Sequence, residues 1–175
     1  WLVENGILVC SVGDGDKSMS QILVKDTTFR DAIVRFDFRL QRCQELQLVT
    51  YSGKTVNAVV HIRPDRFFVE SGKGRSKADP AHRLWQCAYP FDPNLWYTMT
   101  VEFIGDQLIA HIDREHYAYL RHPSLNLDRG YLALSVDDQP AAFDNVQILG
   151  AKEHPSITQT LRRLLAKRPG HHEAK

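Results

Sequence analysis

Cysteine is scarce in this chain: Cys10, Cys43 and Cys87 lie far apart, with no C-x-x-C pair. That spacing excludes a cysteine-built zinc cluster and a dense disulfide framework. It leaves open one bridge with a free thiol, or three reduced and partly buried thiols. Long apolar runs are also missing. None approaches the roughly 20 residues of a membrane-spanning helix, so no transmembrane segment is expected. Charge of one sign does not dominate, since 22 lysines and arginines face 21 acids. That balance hides an asymmetry: residues 151–175 carry +4 and the remainder −3. A body of mild acidity lacks the basic face of a nucleic-acid binder, and no nucleic-acid partner is expected.

Chemical motifs are equally sparse. The chain has no G-x-S-x-G elbow, no phosphate-binding P-loop and no H-E-x-x-H. Gly72-Lys-Gly74-Arg lacks the third glycine of a dinucleotide fingerprint. Asp14-Gly15-Asp16 begins like a calcium loop but has Met19 where glycine is required, so it reads as a polar turn. No N-glycosylation acceptor occurs, and neither a cofactor nor a metal is expected.

What the chain does have is alternation. In Ala32–Leu40, Val34, Phe36, Phe38 and Leu40 occupy one face, and Ile33, Arg35, Asp37 and Arg39 the other. From Trp96 to Asp113 the period of two holds on both sides of Gly105-Asp106, which predicts a β-hairpin with one buried face. Shorter runs predict strands over 7–11, 20–25, 46–51, 56–62, 66–70, 131–136 and 143–149. Residues 71–94, with two glycines, three prolines and several charges, read as a long loop. About ten short strands with frequent turns predict an all-β protein, an antiparallel β-sandwich or barrel, over residues 1–150. At 175 residues one core is expected.

Residues 151–175 break the pattern. Ser156-Ile-Thr-Gln159 matches a capping box, Ile157, Leu161, Leu164 and Leu165 recur at helical spacing, and Pro169-Gly170 ends the run. A short amphipathic C-terminal helix is expected. It either packs on the sandwich or, through its basic residues over 156–168, meets a protein or a membrane surface. The chain opens on Trp1 rather than methionine, which reads as processing or trimming. A removed export signal would fit a periplasmic or extracellular protein.

His61 and His111 each fall on the less apolar face of a predicted strand, where an imidazole could meet a ligand. With Arg35, Asp37, Arg39 and Asn57 they would form a polar groove, if the strands bring those faces together. His111-Ile112-Asp113-Arg114-Glu115 resembles the Glu-x-Asp-x-Glu strand of laminarinase-type glycosidases, but histidine replaces one carboxylate, so an exposed turn is the better reading. Trp85, Tyr89 and Phe91 are either a sugar-stacking platform or anchors that hold a loop on the core.

The order of these signals resembles concanavalin A-like jelly-roll domains. The relevant segments are Trp1-Leu-Val-Glu-Asn-Gly-Ile-Leu, Thr28-Phe-Arg-Asp-Ala-Ile-Val-Arg-Phe, Leu95-Trp-Tyr-Thr-Met-Thr-Val, Gly105-Asp-Gln-Leu-Ile-Ala-His-Ile-Asp, Gly130-Tyr-Leu-Ala-Leu and Phe143-Asp-Asn-Val-Gln-Ile. Within that group the chain looks most like the 3-keto-disaccharide hydrolase family, with only Ser52-Gly53 kept of the family's Asn-Ser-Gly-Ile. The resemblance implies a bacterial protein with a saccharide ligand, and hydrolysis of 3-keto-glycosides by elimination and hydration. His61 or His111 would then serve as base, Arg35 or Arg39 would polarise the ketone, and Asp37 would orient either. Arg39, Asn57, Trp85 and Tyr89 would contact substrate. A non-catalytic glycan-binding module and a structural or interaction domain are the alternatives.

Overall fold

The computed structural model describes residues 1–10, 19–24, 26–72, 83–137 and 139–151. Thirteen strands follow one another among the described residues. They are β1 (Leu2–Glu4), β2 (Ile7–Cys10), β3 (Ser20–Val24), β4 (Ala32–Arg39), β5 (Leu46–Ser52), β6 (Thr55–Arg63) and β7 (Arg66–Ser71), then β8 (Arg83–Ala88), β9 (Tyr97–Ile104), β10 (Gln107–His111), β11 (Tyr117–Arg121), β12 (Tyr131–Val136) and β13 (Ala141–Gly150). All the strand pairs are antiparallel. One sheet has seven strands in the order β1-β2-β13-β4-β9-β10-β11, and the other has six in the order β3-β12-β5-β6-β7-β8.

Alternation builds the core between them. From the seven-stranded sheet, Val34, Phe36, Phe38, Met99, Val101, Phe103, Leu108 and Ala110 turn inward; from the six-stranded sheet come Leu46, Leu48, Ala58, Val60, Ile62, Phe67 and Val69. Each fully buried aliphatic or aromatic side chain contributes about 1.5–3 kcal/mol relative to exposure, so this single layer holds the sheets face to face. Side chains at the intervening positions, among them Arg35, His61 and His111, point away from that layer.

Two backbone sites show why particular residues are needed. Asn5 and Gly6, with φ of 53° and 82°, form the two-residue turn between β1 and β2, the left-handed pair that an Asn-Gly hairpin supplies. At the end of β7, a Cβ on Gly72 would lie 1.7 Å from the Val56 carbonyl oxygen, so only glycine lets the two backbones approach.

Three strands depart from the sequence expectation. Residues 71–94 are not one long loop, because β8 pairs with β7 there through Phe67–Cys87, Phe68–Gln86 and Val69–Trp85. Its inward apolar residues, Trp85 and Cys87, are separated by Gln86 and followed by proline-rich chain, which masks the period. β11 follows the 112–115 bends with buried Ala118 and Leu120, and β1 is a short exposed edge strand. Cys10, Cys43 and Cys87 are all buried free thiols. The helix expected over 156–168 lies outside the described residues.

Candidate functional site

The register of the six-stranded sheet lines up its outward side chains into rows. One row crosses all six strands: Gln21 faces Ser135, Ser135 faces Gln47, Gln47 faces His61, His61 faces Phe68, and Phe68 faces Gln86. Glu45, just before β5, and Arg63, at the end of β6, sit beside this row. The inward face carries the apolar burial, and this outward row carries hydrogen-bonding groups.

The centre of the cluster is Glu45. Its Oε1 lies 2.7 Å from His61 Nδ1 and accepts from Gln47 Nε2 at 2.6 Å. Its Oε2 accepts from Arg63 Nε at 2.6 Å and also pairs with Arg63 Nη2, so that two prongs of the guanidinium meet one carboxylate oxygen. These donors, His61 foremost, outweigh the burial that opposes ionisation and hold the Glu45 carboxyl at a pKa of about 2. His61 is 9% exposed. Its ring lies flat on Phe68, with centroids 4.3 Å apart and planes 9° from parallel, and Arg63 sits over the same phenyl ring at 5.3 Å. On its other side, His61 Nε2 lies 3.4 Å from Glu70 Oε2 but makes no hydrogen bond. Phe68, although on the outer face, is therefore wholly covered and serves as a plate under the imidazole and guanidinium.

A cleft of about 590 Å³ opens beside Glu45 and Arg63, lined also by Met19, Gln44, Asp65 and Asp137. Asp137 clasps its wall: Oδ2 accepts from the backbone N–H groups of Gln44 and Glu45 at 2.7 and 2.8 Å. The cleft and the cluster thus share two residues, Glu45 and Arg63, and that junction can exchange hydrogen bonds with a polyhydroxylated ligand.

The residues expected from sequence divide between the two outer faces. His61 belongs to the six-stranded sheet. Arg35, Asp37, Arg39 and His111 all lie on the seven-stranded sheet, across the core, so His61 and His111 do not share a groove. On that second face Arg35 faces Thr100 and Thr100 faces His111, whose Nε2 is 3.1 Å from Glu102 Oε1. Asp37 accepts from Thr98 Oγ1 at 2.5 Å and Asn145 Nδ2 at 2.7 Å, tying β4 to its neighbours on both sides. Arg39 stacks on Trp96 at 5.1 Å.

Asn57 occupies the irregularity where β6 has one residue more than β5, and its Nδ2 donates to the Ser124 carbonyl at 2.6 Å. Trp85 stacks on Tyr117 at 6.2 Å, while Tyr89 packs against Phe91, Tyr97 and His116. Phe91 is buried in the core. This aromatic group closes the edge between the sheets and does not form an open platform. Asp113 accepts from the backbone N–H groups of Glu115 and His116 at 2.7 and 2.8 Å, so the segment resembling a glycosidase strand is an Asp-stabilised turn. Sequence reasoning missed Glu45, Gln47, Arg63 and Glu70. The signal lay in the outward alternation of Gln47, His61 and Arg63, which needed a register to become a cluster.

No family model and no curated protein matches this sequence. Solved structures do match. The carbohydrate-binding module CBM66 from Bacillus subtilis aligns with a TM-score of 0.60 at 16% identity, covering 83% of this chain and 96% of that one. A tetrameric galectin from the ball sponge Cinachyrella sp. gives 0.61 at 13% identity, over 74% and 99% of the two chains. Congerin II, liganded with lactose and MES, gives 0.57 at 10% identity, again over 74% and 99%. At these identities the likeness is one of fold, and the chain is an all-β, antiparallel jelly-roll sandwich of the concanavalin A-like type.

Proposed function

We propose that this chain is a carbohydrate-binding domain whose saccharide site is the outer face of the six-stranded sheet around Glu45, Gln47, His61 and Arg63. The observation that carries the reading is the junction of that ordered polar cluster with the adjoining cleft. Its volume falls within the roughly 300–1,000 Å³ usual for small-molecule sites. A sugar needs carboxylate and imidazole acceptors for its hydroxyl protons, and amide and guanidinium donors for its oxygens. The cluster offers both kinds, held in place by one another and by Phe68. The fold neighbours support the same class of ligand: one is a carbohydrate-binding module, one a galectin, and one carries lactose.

Hydrolysis of 3-keto-glycosides is the finer reading implied by the sequence resemblance, and it draws on the opposite face. There Arg35 and His111 share a row through Thr100, and Glu102 faces the imidazole. One experiment separates the two. Oligosaccharides are screened for binding by glycan array and calorimetry, and 3-keto-disaccharides for turnover, with wild type, His61→Ala and His111→Ala. Binding should weaken about tenfold in His61→Ala, the loss of one or two hydrogen bonds, and stay unchanged in His111→Ala. Turnover that disappears in His111→Ala, or binding indifferent to His61→Ala, would refute the proposal.

A further inference from the structure

The charge around the cleft goes further than the ligand's broad class. Its described lining holds three carboxylates, those of Glu45, Asp65 and Asp137, against the single guanidinium of Arg63. That guanidinium is already committed, in a two-pronged contact with Glu45. Arg66, next to Asp65 in the chain, is likewise held by it, its Nη1 3.0 Å from Oδ2. Glu45 stays ionised in all but strong acid, and Asp137 is fixed as an acceptor by the N–H groups of Gln44 and Glu45. An anionic ligand entering here therefore finds a net negative wall and guanidinium groups already paired with carboxylates. A neutral hydroxyl finds acceptors.

We infer that the site selects neutral saccharides and rejects uronic and other acidic ones. This rests on the saccharide reading above and specifies which sugars it admits. A vicinal diol satisfies the arrangement well: one hydroxyl donates to Asp65 or Asp137, whose Oδ1 atoms have lone pairs to spare, while its neighbour accepts from an Arg63 N–H that is not spent on Glu45. Arg63 and Glu45 need no separation for this, because the guanidinium has five N–H donors and Glu45 takes only part of them. A carboxylate on the sugar would sit against Glu45, Asp65 and Asp137 and share a guanidinium whose charge Glu45 already balances. Such a juxtaposition costs on the order of tenfold or more in affinity.

The test uses matched pairs: a set of neutral polysaccharides (glucans, mannans, galactans and fructans) and the same polymers oxidised at C6, or at the primary alcohol, to carboxylates. Wild type should bind at least one neutral polymer and bind its oxidised partner about tenfold more weakly or not at all. Glu45→Gln keeps the side-chain shape, releases Arg63 and should narrow that ratio to about threefold or less. Asp65→Asn, at an exposed position outside the Glu45 network, should narrow it part of the way by releasing Arg66, and it keeps the test valid if Glu45→Gln does not fold. Equal or better binding of the oxidised polymers by wild type would overturn the selection while leaving a saccharide site. An unchanged ratio in both variants would overturn it too. Binding to neither series would overturn the saccharide reading itself.

Discussion

Acid should weaken this fold through Glu45 as pH falls through and below the ordinary carboxylate range. The Glu45 carboxyl has a folded pKa of about 2 against an ordinary 4.5, owing first to His61 and then to Gln47 and Arg63. A carboxyl whose folded pKa is depressed stabilises the folded state above its unfolded pKa, and that stability drains away as pH falls towards the folded value. A shift of this size corresponds to about 3 kcal/mol at neutral pH, of which about 2 kcal/mol is gone by pH 3. Little discount for solvent is warranted, since the side chain is only 19% exposed.

The clean measurement is the difference between wild type and Glu45→Gln, because other carboxylates titrate in both proteins and cancel. Thermal unfolding is followed by circular dichroism at half-unit steps from pH 7 to pH 3. At pH 7 the variant should melt lower. By pH 3 the gap should have closed by about 4–8 °C, the change expected of about 2 kcal/mol in a domain of this size. A gap that stays constant over the whole range would refute the argument that Glu45 is held ionised by its three donors.

Two further predictions concern the scaffold. Arg129 is 0% exposed: its guanidinium donates to the carbonyls of Arg30 and Leu125 at 2.6 Å each and Leu127 at 3.3 Å, and lies 4.3 Å from the Phe103 ring. Arg129→Met takes a donor from three carbonyls, of which Leu125 keeps the Leu127 N–H, and should cost about 3–5 kcal/mol by urea denaturation, with Arg129→Lys restoring only a minor part because one ammonium cannot span them. Gly72→Ala forces the close approach to Val56 apart and should cost about 3 kcal/mol. It should also speed hydrogen exchange at the Gly72 amide, which donates to the Asn57 carbonyl at 2.6 Å.

The strands with uninterrupted alternation were legible from sequence. β4, the β9–β10 hairpin and β12 appear where the period of two places them, because each puts every second side chain into one core and has a clear turn on at least one side. β8 and β11 were not, for opposite physical reasons. β8 buries too few apolar side chains to announce a period within a proline-rich stretch. β11 begins directly after the Asp113 turn, and its short run of Tyr117, Ala118 and Tyr119 is apolar on both faces, so no alternation marks it.

The site was legible only one strand at a time. Alternation says that His61 and His111 both leave the core, and it says nothing about direction, because the outward positions of both sheets of a sandwich carry the same pattern. Strand order resolves it: β6 lies between β5 and β7, and β10 between β9 and β11. His61 thereby acquires Gln47 and Phe68 as register partners and comes within reach of Glu45, whereas His111 acquires Thr100 and Tyr117 and meets Glu102. One imidazole enters a network that borders a cleft, and the other makes a single cross-strand contact with Glu102 on the opposite side. Two histidines with the same local signature thus end up with different chemistry. Pairing makes that difference, which is why substitutions at His61 and His111 test the two faces separately.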